Sequence, residues 1–438
     1  MITTLIGKTF LKAYNEKYKT DYSAKAFFEE IFFELFFNHP KYMQWVTNSP
    51  FVQMKKGQKP HLLNNEERKQ KLDNLFEKAE NQTPDASFAI GFPAAEEKSY
   101  ASTSGLVSDI VIETEEEEVY YSWFGSGLGI GVTGGLNLLI DDATILMETF
   151  EGWKYYRNYL NDTTLERLRP NQINSWNGQW LTYKLGKYFR ADFDFRDLEQ
   201  ENIFKVTDKL IEVNTVNWSN LFFSLSQLYP DKTLNSYIYS FGQTNKTIGF
   251  IPIYLKSGRT LKNVFKKLYP SDKSFSTKEF QSLFGIHIKR ACELGNIGLH
   301  ALRPQKLDKY FHNSKNLSFK KEANIIQYQS FKTWLIAMLS KNKEEITDYT
   351  LELAQLILRY RANSKGTAGK NLIEKELLAA NSKKQFLEAL TTMIPAVEET
   401  DLEALKKLRD EVHLMTNEEF TYFNTLLKFD YKYAEQQS

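Results

Sequence analysis

Large apolar side chains run together near the start of the chain, where Phe27, Phe28, Ile31, Phe32, Phe33, Leu35, Phe36 and Phe37 are interrupted only by Glu29, Glu30 and Glu34. His39-Pro40 closes the run and Ser23 can cap it, so the pattern predicts a heavily buried helix. Asn65 to Glu80 reads as a charged helix, and Ala143 to Leu160 returns to helical spacing. Between them the character changes. Pro84 to Ser104 is rich in small residues and turn formers and reads as a surface loop. Leu106–Thr114 and Val119–Trp123 are β-branched and aromatic on either side of the acidic tip Glu115–Glu118, which predicts a small sheet. Leu128, Ile130 and Val132 alternate with glycines as a further strand. From Asn171 to Leu255 the chain is aromatic and mixed, with Thr247–Leu255 its clearest strand.

Helix signals strengthen after residue 275. Ser276 with Glu279, Ser382 with Gln385, Thr400 with Glu403 and Thr416 with Glu419 have the spacing of capping boxes, in which a side-chain oxygen takes a free backbone N–H and the acceptor three residues on returns the bond. No strand pattern follows Asn324, and Leu353, Leu356, Ile357 and Tyr360 line one helix face. The expected fold class is α+β: mixed α/β N-terminal and middle regions with small sheets, then an all-α C-terminal helical bundle. The expected divisions are 1–160, 161–323 and 324–438, in keeping with a length of 438 residues.

Composition narrows the class. A hydrophobic content of 42% is ample for burial and argues against wholesale disorder. Cys292 is the single cysteine, which excludes a disulfide framework and a cysteine-clustered zinc site, reads as a small core residue on a helix, and fits a reducing compartment, by default the cytoplasm. Met1–Phe10 lacks the pattern of a secretory signal. Val119–Ile140 is long and uncharged, yet its glycines, Asn137 and the lack of flanking Lys/Arg argue against a membrane span.

Charge is segregated although the totals, 56 basic and 55 acidic, nearly cancel. Lys246 to Lys321 holds sixteen Lys/Arg against four carboxylates, whereas residues 1–150 hold 14 basic and 22 acidic side chains. Such a stretch suggests a surface that meets a polyanion. Within it Arg259, Lys262 and Lys266 recur at i, i+3, i+7, and Leu261, Phe265 and Leu268 at i, i+4, i+7. That spacing predicts a short helix with a cationic stripe for phosphates and an apolar stripe for the core. Lys267, Lys289, Arg290 and Arg303 extend the basic set, and Lys55, Lys56 and Lys59 form a second basic loop. The bland alternative is a solvated face balanced in space by the acidic N-terminal region.

Other constellations point to less. Gly129, Gly131 and Gly134 satisfy G-x-G-x-x-G without the helix and the acidic residue that a dinucleotide site needs, so a glycine hairpin or a close backbone approach is the better reading. There is no P-loop pattern, no zinc-binding histidine spacing and no nucleophile elbow. Asp85, Glu96 and Lys98 match the letters of a Mg²⁺-dependent P-D…E-x-K nuclease, but the context is no rigid strand. Asp192, Asp194 and Asp197 read as a strand edge or turn with local salt bridges. Trp176 and Trp180 read first as core or interface anchors and second as a platform for stacked bases. No cofactor or metal is expected.

Taken with Gln172–Leu181, Asn245–Ile253 and Glu293–Pro304, the basic region set between an aromatic α+β part and a helical C-terminal part resembles the large subunit of type I CRISPR Cascade complexes. The resemblance implies a non-enzymatic subunit, partnered by guide RNA, target DNA and the other Cascade subunits, that grips the motif beside the target, helps open the duplex and docks a helicase-nuclease. The C-terminal bundle would lie along the guide–target hybrid and displaced strand. Some branches of that family carry cysteine zinc motifs, and this chain has none. The competing expectations are the nuclease above and a protein-only scaffold.

Overall fold

Ser23 Oγ accepts from the Ala26 amide at 3.2 Å in the computed structural model, and the phenylalanine run beyond it is helical. Ala24–Phe27 and Glu34–Phe36 are α-helical, and Phe28–Phe33 between them widens into a π-helical turn. The structure describes residues 1–93, 114–187, 189–240, 243–270, 275–311, 317–339 and 346–437. They fall into two units, one of Met1–Leu255 with Cys292–Asn296 and the other of Lys256–Ala291 with Ile297–Ser438.

The first unit is organised by two helices, Ile2–Tyr18 and Glu116–Gly127, that cross with their backbones nearly touching. A Cβ built on Gly125 would sit 1.9 Å from Thr3 O, and one on Gly7 would sit 2.2 Å from Tyr121 O. Only glycine fits at these two points. The strand expected at Val119–Trp123 is therefore a helix, and the acidic tip Glu115–Glu118 opens it. Carboxylates there complement the positive end of the helix dipole. Leu106–Glu113 and most of the expected loop 84–104 lie outside the described residues. Around the crossing, aromatic rings meet mostly edge to face: Phe10 on Phe27 at 5.5 Å, Phe27 on Phe124 at 5.2 Å and Phe150 on Trp153 at 5.5 Å.

The strand expected at Leu128–Val132 is present as β1 (Ile130–Val132), followed by β2 (Leu136–Ile140) after a tight turn in which Gly134 and Gly135 take positive φ. β3 (Phe204–Val206) and β4 (Ile211–Val213) form a separate two-stranded ladder. β5 (Thr233–Ser240) and β6 (Gln243–Tyr254) complete an antiparallel sheet of order β1-β2-β5-β6, with β6 at the edge. Ala143–Asn161 is the helix that the sequence spacing predicts, and its N-cap Asp142 accepts from Ile145 N and Tyr229 OH and pairs with Lys232.

The buried Arg157 of that helix holds the end of the phenylalanine segment. Its Nε donates to Leu35 O at 2.7 Å, and Nη1 and Nη2 donate to Lys41 O at 3.2 and 3.1 Å. Burial lowers this guanidinium to about 10. Burial first, and then the Arg157 charge, push His39 down from 6.5 to about 4, while its Nδ1 accepts from the Lys41 amide at 3.0 Å.

The second unit opens with the helix Lys256–Leu268, which packs on Glu322–Leu339. Thr277–Leu283 leads into β7 (Phe284–Ile286), which pairs antiparallel with β8 (Leu302–Pro304). Beyond residue 322 the described chain is helical, and Ile346–Asn363 and Glu322–Leu339 both pack on the final helix Asn417–Glu435. Leu353, Leu356 and Ile357 are buried in its core with Phe386, Leu408 and Phe423, and Tyr360 packs against them. Ser276 and Thr416 form complete capping boxes. Ser382 caps Gln385 N, but the Gln385 side chain takes the Asn381 amide instead. Thr400 lies inside the helix Glu399–Leu414, so its expected box does not form. The fold class is α+β as expected, with small antiparallel sheets and a helical C-terminal region.

A buried polar knot ties these helices. Asp430 is fully buried; its Oδ1 accepts from Tyr328 OH at 2.8 Å and Lys332 Nζ at 2.9 Å, and its Oδ2 from Thr350 Oγ1 at 2.7 Å. A buried ion pair is weakly stabilising as a pair but costly to break, because the remaining charge has no water.

Lys332→Met, which strands the Asp430 carboxylate, is expected to destabilise the second unit by about 3–5 kcal/mol, whereas the double variant Lys332→Met/Asp430→Leu recovers most of that loss; chemical denaturation of both variants measures the difference. His39 carries a depressed folded-state value, so the unfolded chain binds the proton first and the first unit loses stability as pH falls from about 6.5 towards 4. His39→Gln is expected to flatten that segment of the pH–stability curve.

Candidate nucleic-acid interface

The basic helix has the geometry that its spacing implies. At about 100° per residue, Lys256, Arg259, Lys262, Lys266 and Lys267 occupy an arc of roughly 140°, opposite an arc of roughly 100° formed by Leu261, Val264, Phe265 and Leu268. Leu261 and Val264 are buried, and Phe265 rests on Phe275 at 4.9 Å. Lys256, Arg259, Lys266 and Lys267 are exposed and Lys262 is half-buried. The helix contains no carboxylate. Burial, and then repulsion from Lys266, push the Lys262 ammonium below its ordinary value. A phosphate between the two lysines would relieve that repulsion.

Lys289, Arg290 and Arg303 lie elsewhere in the same unit. Lys289 is exposed on the helix Ile288–Leu294. Arg303 sits on β8 opposite Gly285 and donates to Asp308 Oδ2 at 2.8 Å, so part of its charge is already matched. Burial and a hydrogen bond to Glu418 raise the Tyr422 phenol, and Arg290 and Arg303 both oppose that rise. The two guanidiniums are therefore within electrostatic reach of one ring. Arg290 and Arg303 thus both act on Tyr422, and Lys262 and Lys266 stand one turn apart on their helix.

The second basic loop belongs to the first unit. Gln58 N donates to Lys55 O at 2.9 Å across a β-turn whose third residue, Gly57, takes φ 89°, the conformation that a type II turn asks of that position. Lys55, Lys56 and Lys59 project from it into solvent. Two contacts that sequence reasoning missed hold the turn in place. Gln58 Oε1 accepts from Lys55 N at 3.0 Å while its Nε2 donates to Glu67 at 3.1 Å, and the buried Lys71 donates to Pro50 O and Gln53 O. Glu67 also closes a capping box with Asn64 at the start of the helix Asn65–Asn81. Only the Asn64…Glu67 spacing was there to be read in the sequence.

The other candidates resolve into structure. Trp176 and Trp180 are buried, their rings stacked at 6.0 Å, and donate to Gly152 O and Glu148 O, so they belong to the core. The glycine-rich stretch serves close approach: a Cβ on Gly129 would lie 2.8 Å from Asn174 Nδ2, and Asn177 Nδ2 donates to both Gly127 O and Gly129 O. Asp194 caps the helix Phe195–Gln200 in a box with Asp197, which pairs with Arg190 at 2.7 Å. Asp85 Oδ1 accepts from Ser87 N within a turn, and Glu96 and Lys98 lie outside the described residues. Cys292 is exposed, not a core residue as expected, because it stands on the open side of its short helix while Ala291 takes the buried position. Among the described residues no cluster of three or more His, Cys, Asp or Glu could hold a metal ion, and no helix is long and apolar enough to cross a membrane.

No protein-family model, curated protein or solved structure matches the chain.

Lys71→Met removes the ammonium that holds Pro50 O and Gln53 O and is expected to cost about 1–3 kcal/mol locally. Hydrogen exchange at the Gln58 amide should accelerate by roughly tenfold or more in that variant.

Proposed function

We propose that this chain is a non-catalytic nucleic-acid-binding subunit and, following its resemblance, the large subunit of a type I CRISPR Cascade surveillance complex acting in the cytoplasm. In that role it contacts target-adjacent duplex DNA and the guide–target strands and docks a helicase-nuclease. The observation that carries the reading is the helix Lys256–Leu268, in which five cations and no carboxylate share the face opposite a buried apolar stripe. Such a helix is anchored by its core side and offers ammonium and guanidinium groups to a sugar-phosphate backbone. Contacts of this kind fix register and supply affinity but read no sequence. In a guide-RNA complex that division of labour suffices, because base pairing selects the target and the protein grips backbone and adjacent duplex.

Placement of the cations also argues against a purely structural role. Lys256 and Arg259 lie in the first turn of their helix, where positive charge opposes the helix dipole and lowers stability. Lys262 and Lys266 repel each other. A polyanion removes both penalties at once. Arg290, Arg303 and the preorganised loop Lys55, Lys56 and Lys59 supply further phosphate contacts in their respective units.

Neutralising about six phosphates gives a log–log salt slope near −5 on duplex DNA. Lys262→Glu/Lys266→Glu is expected to flatten it to about −3.5 and to weaken binding at low salt. Fluorescence anisotropy over a salt series measures both; unchanged affinity and slope would sink the assignment.

A further inference from the structure

We infer that the outer face of the β5–β6 hairpin is a stacking platform for unpaired bases of single-stranded nucleic acid, an inference that rests on the nucleic-acid reading above. Along β6 the odd positions Ile251 and Ile253 are buried, while the even positions Phe250 and Tyr254 are 65% and 43% exposed. The face that carries Phe250 packs into the core at Leu139 and Tyr239, with Tyr237 against it, and runs out into solvent at Phe250. The cross-strand partner of Phe250 is Tyr237, with ring centroids 5.2 Å apart, and Tyr254 pairs with Thr233 in the same ladder. Between the two aromatic positions stand Asn235 and Pro252, also paired. The face thus alternates ring, amide and ring at strand spacing.

A bulge in β6 sets up this arrangement. Thr247 pairs with Tyr239 and Gly249 with Ile238, so two residues of β6 advance for one of β5. Gly249 takes φ 109° and Thr247 Oγ1 donates to Ile238 O at 2.6 Å, which fixes the extra residue. Beyond the bulge, Phe250 falls on the face of Tyr237. Bulges often re-aim side chains next to functional sites.

Charge selects the occupant. From Thr233 through Leu255 there is no carboxylate, and Lys246 is the one charged side chain. Lys232, at the open end of the hairpin, is exposed but already paired with Asp142, and the exposed Asp231 precedes it, so Lys246 is the cation left to the face. A polyanion meets no carboxylate of the hairpin itself, and Lys246 stands towards its turn, away from the exposed Asp141 and Asp231 at the open end. Exposed rings accept the faces of bases whatever their identity, and the Asn235 amide can donate to and accept from base edges. Duplex DNA keeps its bases stacked inside and would gain nothing from the rings, so the ligand is a strand with unpaired bases.

The experiment compares wild type with Phe250→Leu and Tyr254→Leu, exposed substitutions that keep apolar bulk but remove the ring. Binding of a labelled oligothymidylate and of a labelled duplex is followed by anisotropy, and self-association by sedimentation. Each variant is expected to bind the oligothymidylate about tenfold or more weakly and the duplex within about twofold of wild type. Unchanged single-strand binding in both variants overturns the platform. If Lys262→Glu/Lys266→Glu still weakens duplex binding in that case, the broader nucleic-acid reading survives alone; if wild type binds neither probe, both fall. A wild type that self-associates and is rendered monomeric by Phe250→Glu, with single-strand binding unaltered, makes the face a protein interface and overturns the platform as well.

Discussion

Gly7 and Gly125 decide how the first unit can be built. Their helices cross so closely that Thr3 O and Tyr121 O occupy the space a methyl group would need. Bringing two backbones together in this way leaves little room between the helices and pushes the large side chains to the flanks, where Phe10, Phe27, Phe124, Phe150 and Trp153 close around the crossing. Like any helix end, the C-terminus of Glu116–Gly127 leaves carbonyls in need of donors. Asn174 and Asn177 supply them, reaching Ser126 O, Gly127 O and Gly129 O, and Trp153 Nε1 in turn donates to Asn177 Oδ1. The bonds to Gly129 O thereby fix the position from which β1 departs and hence the sheet that carries the β5–β6 hairpin.

The second unit solves a different problem. Its helices present ordinary apolar faces, and Leu353, Ile357, Leu408 and Phe423 would tolerate several registers of helix against helix. The Asp430 carboxylate narrows the choice, because Tyr328, Lys332 and Thr350 must all reach it without water. Burial and this carboxylate keep the Tyr328 phenol raised, so it remains a donor. We regard the knot as a specifier of helix register more than a source of stability.

Legibility in the sequence followed the range of the interaction. Local chemistry was readable: the Ser23 cap, the boxes at Ser276 and Thr416, the Ala143–Asn161 helix and the two stripes of Lys256–Leu268 depend on residues within one or two turns of each other. Val119–Trp123 is helix where its pattern predicts strand, because its β-branched and aromatic content suits either state and what settles it is Gly125 meeting a helix more than a hundred positions away. The Thr400 box failed because the helix begins before it, at Glu399. Asn177, Arg157 and Asp430 carry no local signature, since their partners are carbonyls and side chains that only folding brings near. For the candidate site the contrast is similar. Arg259, Lys262 and Lys266 could be named from spacing, whereas the exposure of Phe250 depends on a bulge that pattern alone does not reveal.

Segregation of charge along a chain is not the same as a field in space. Of the sixteen cations between Lys246 and Lys321, Lys246 belongs to the first unit, and Arg303 is matched by Asp308 in the second. What distinguishes Lys256–Leu268 from this background is local: the helix holds no carboxylate, its first turn carries charge of the wrong sign for the dipole, and burial, then Lys266, disfavour the charged form of Lys262. Folding energy alone would favour neutral or acidic residues at the first of these positions.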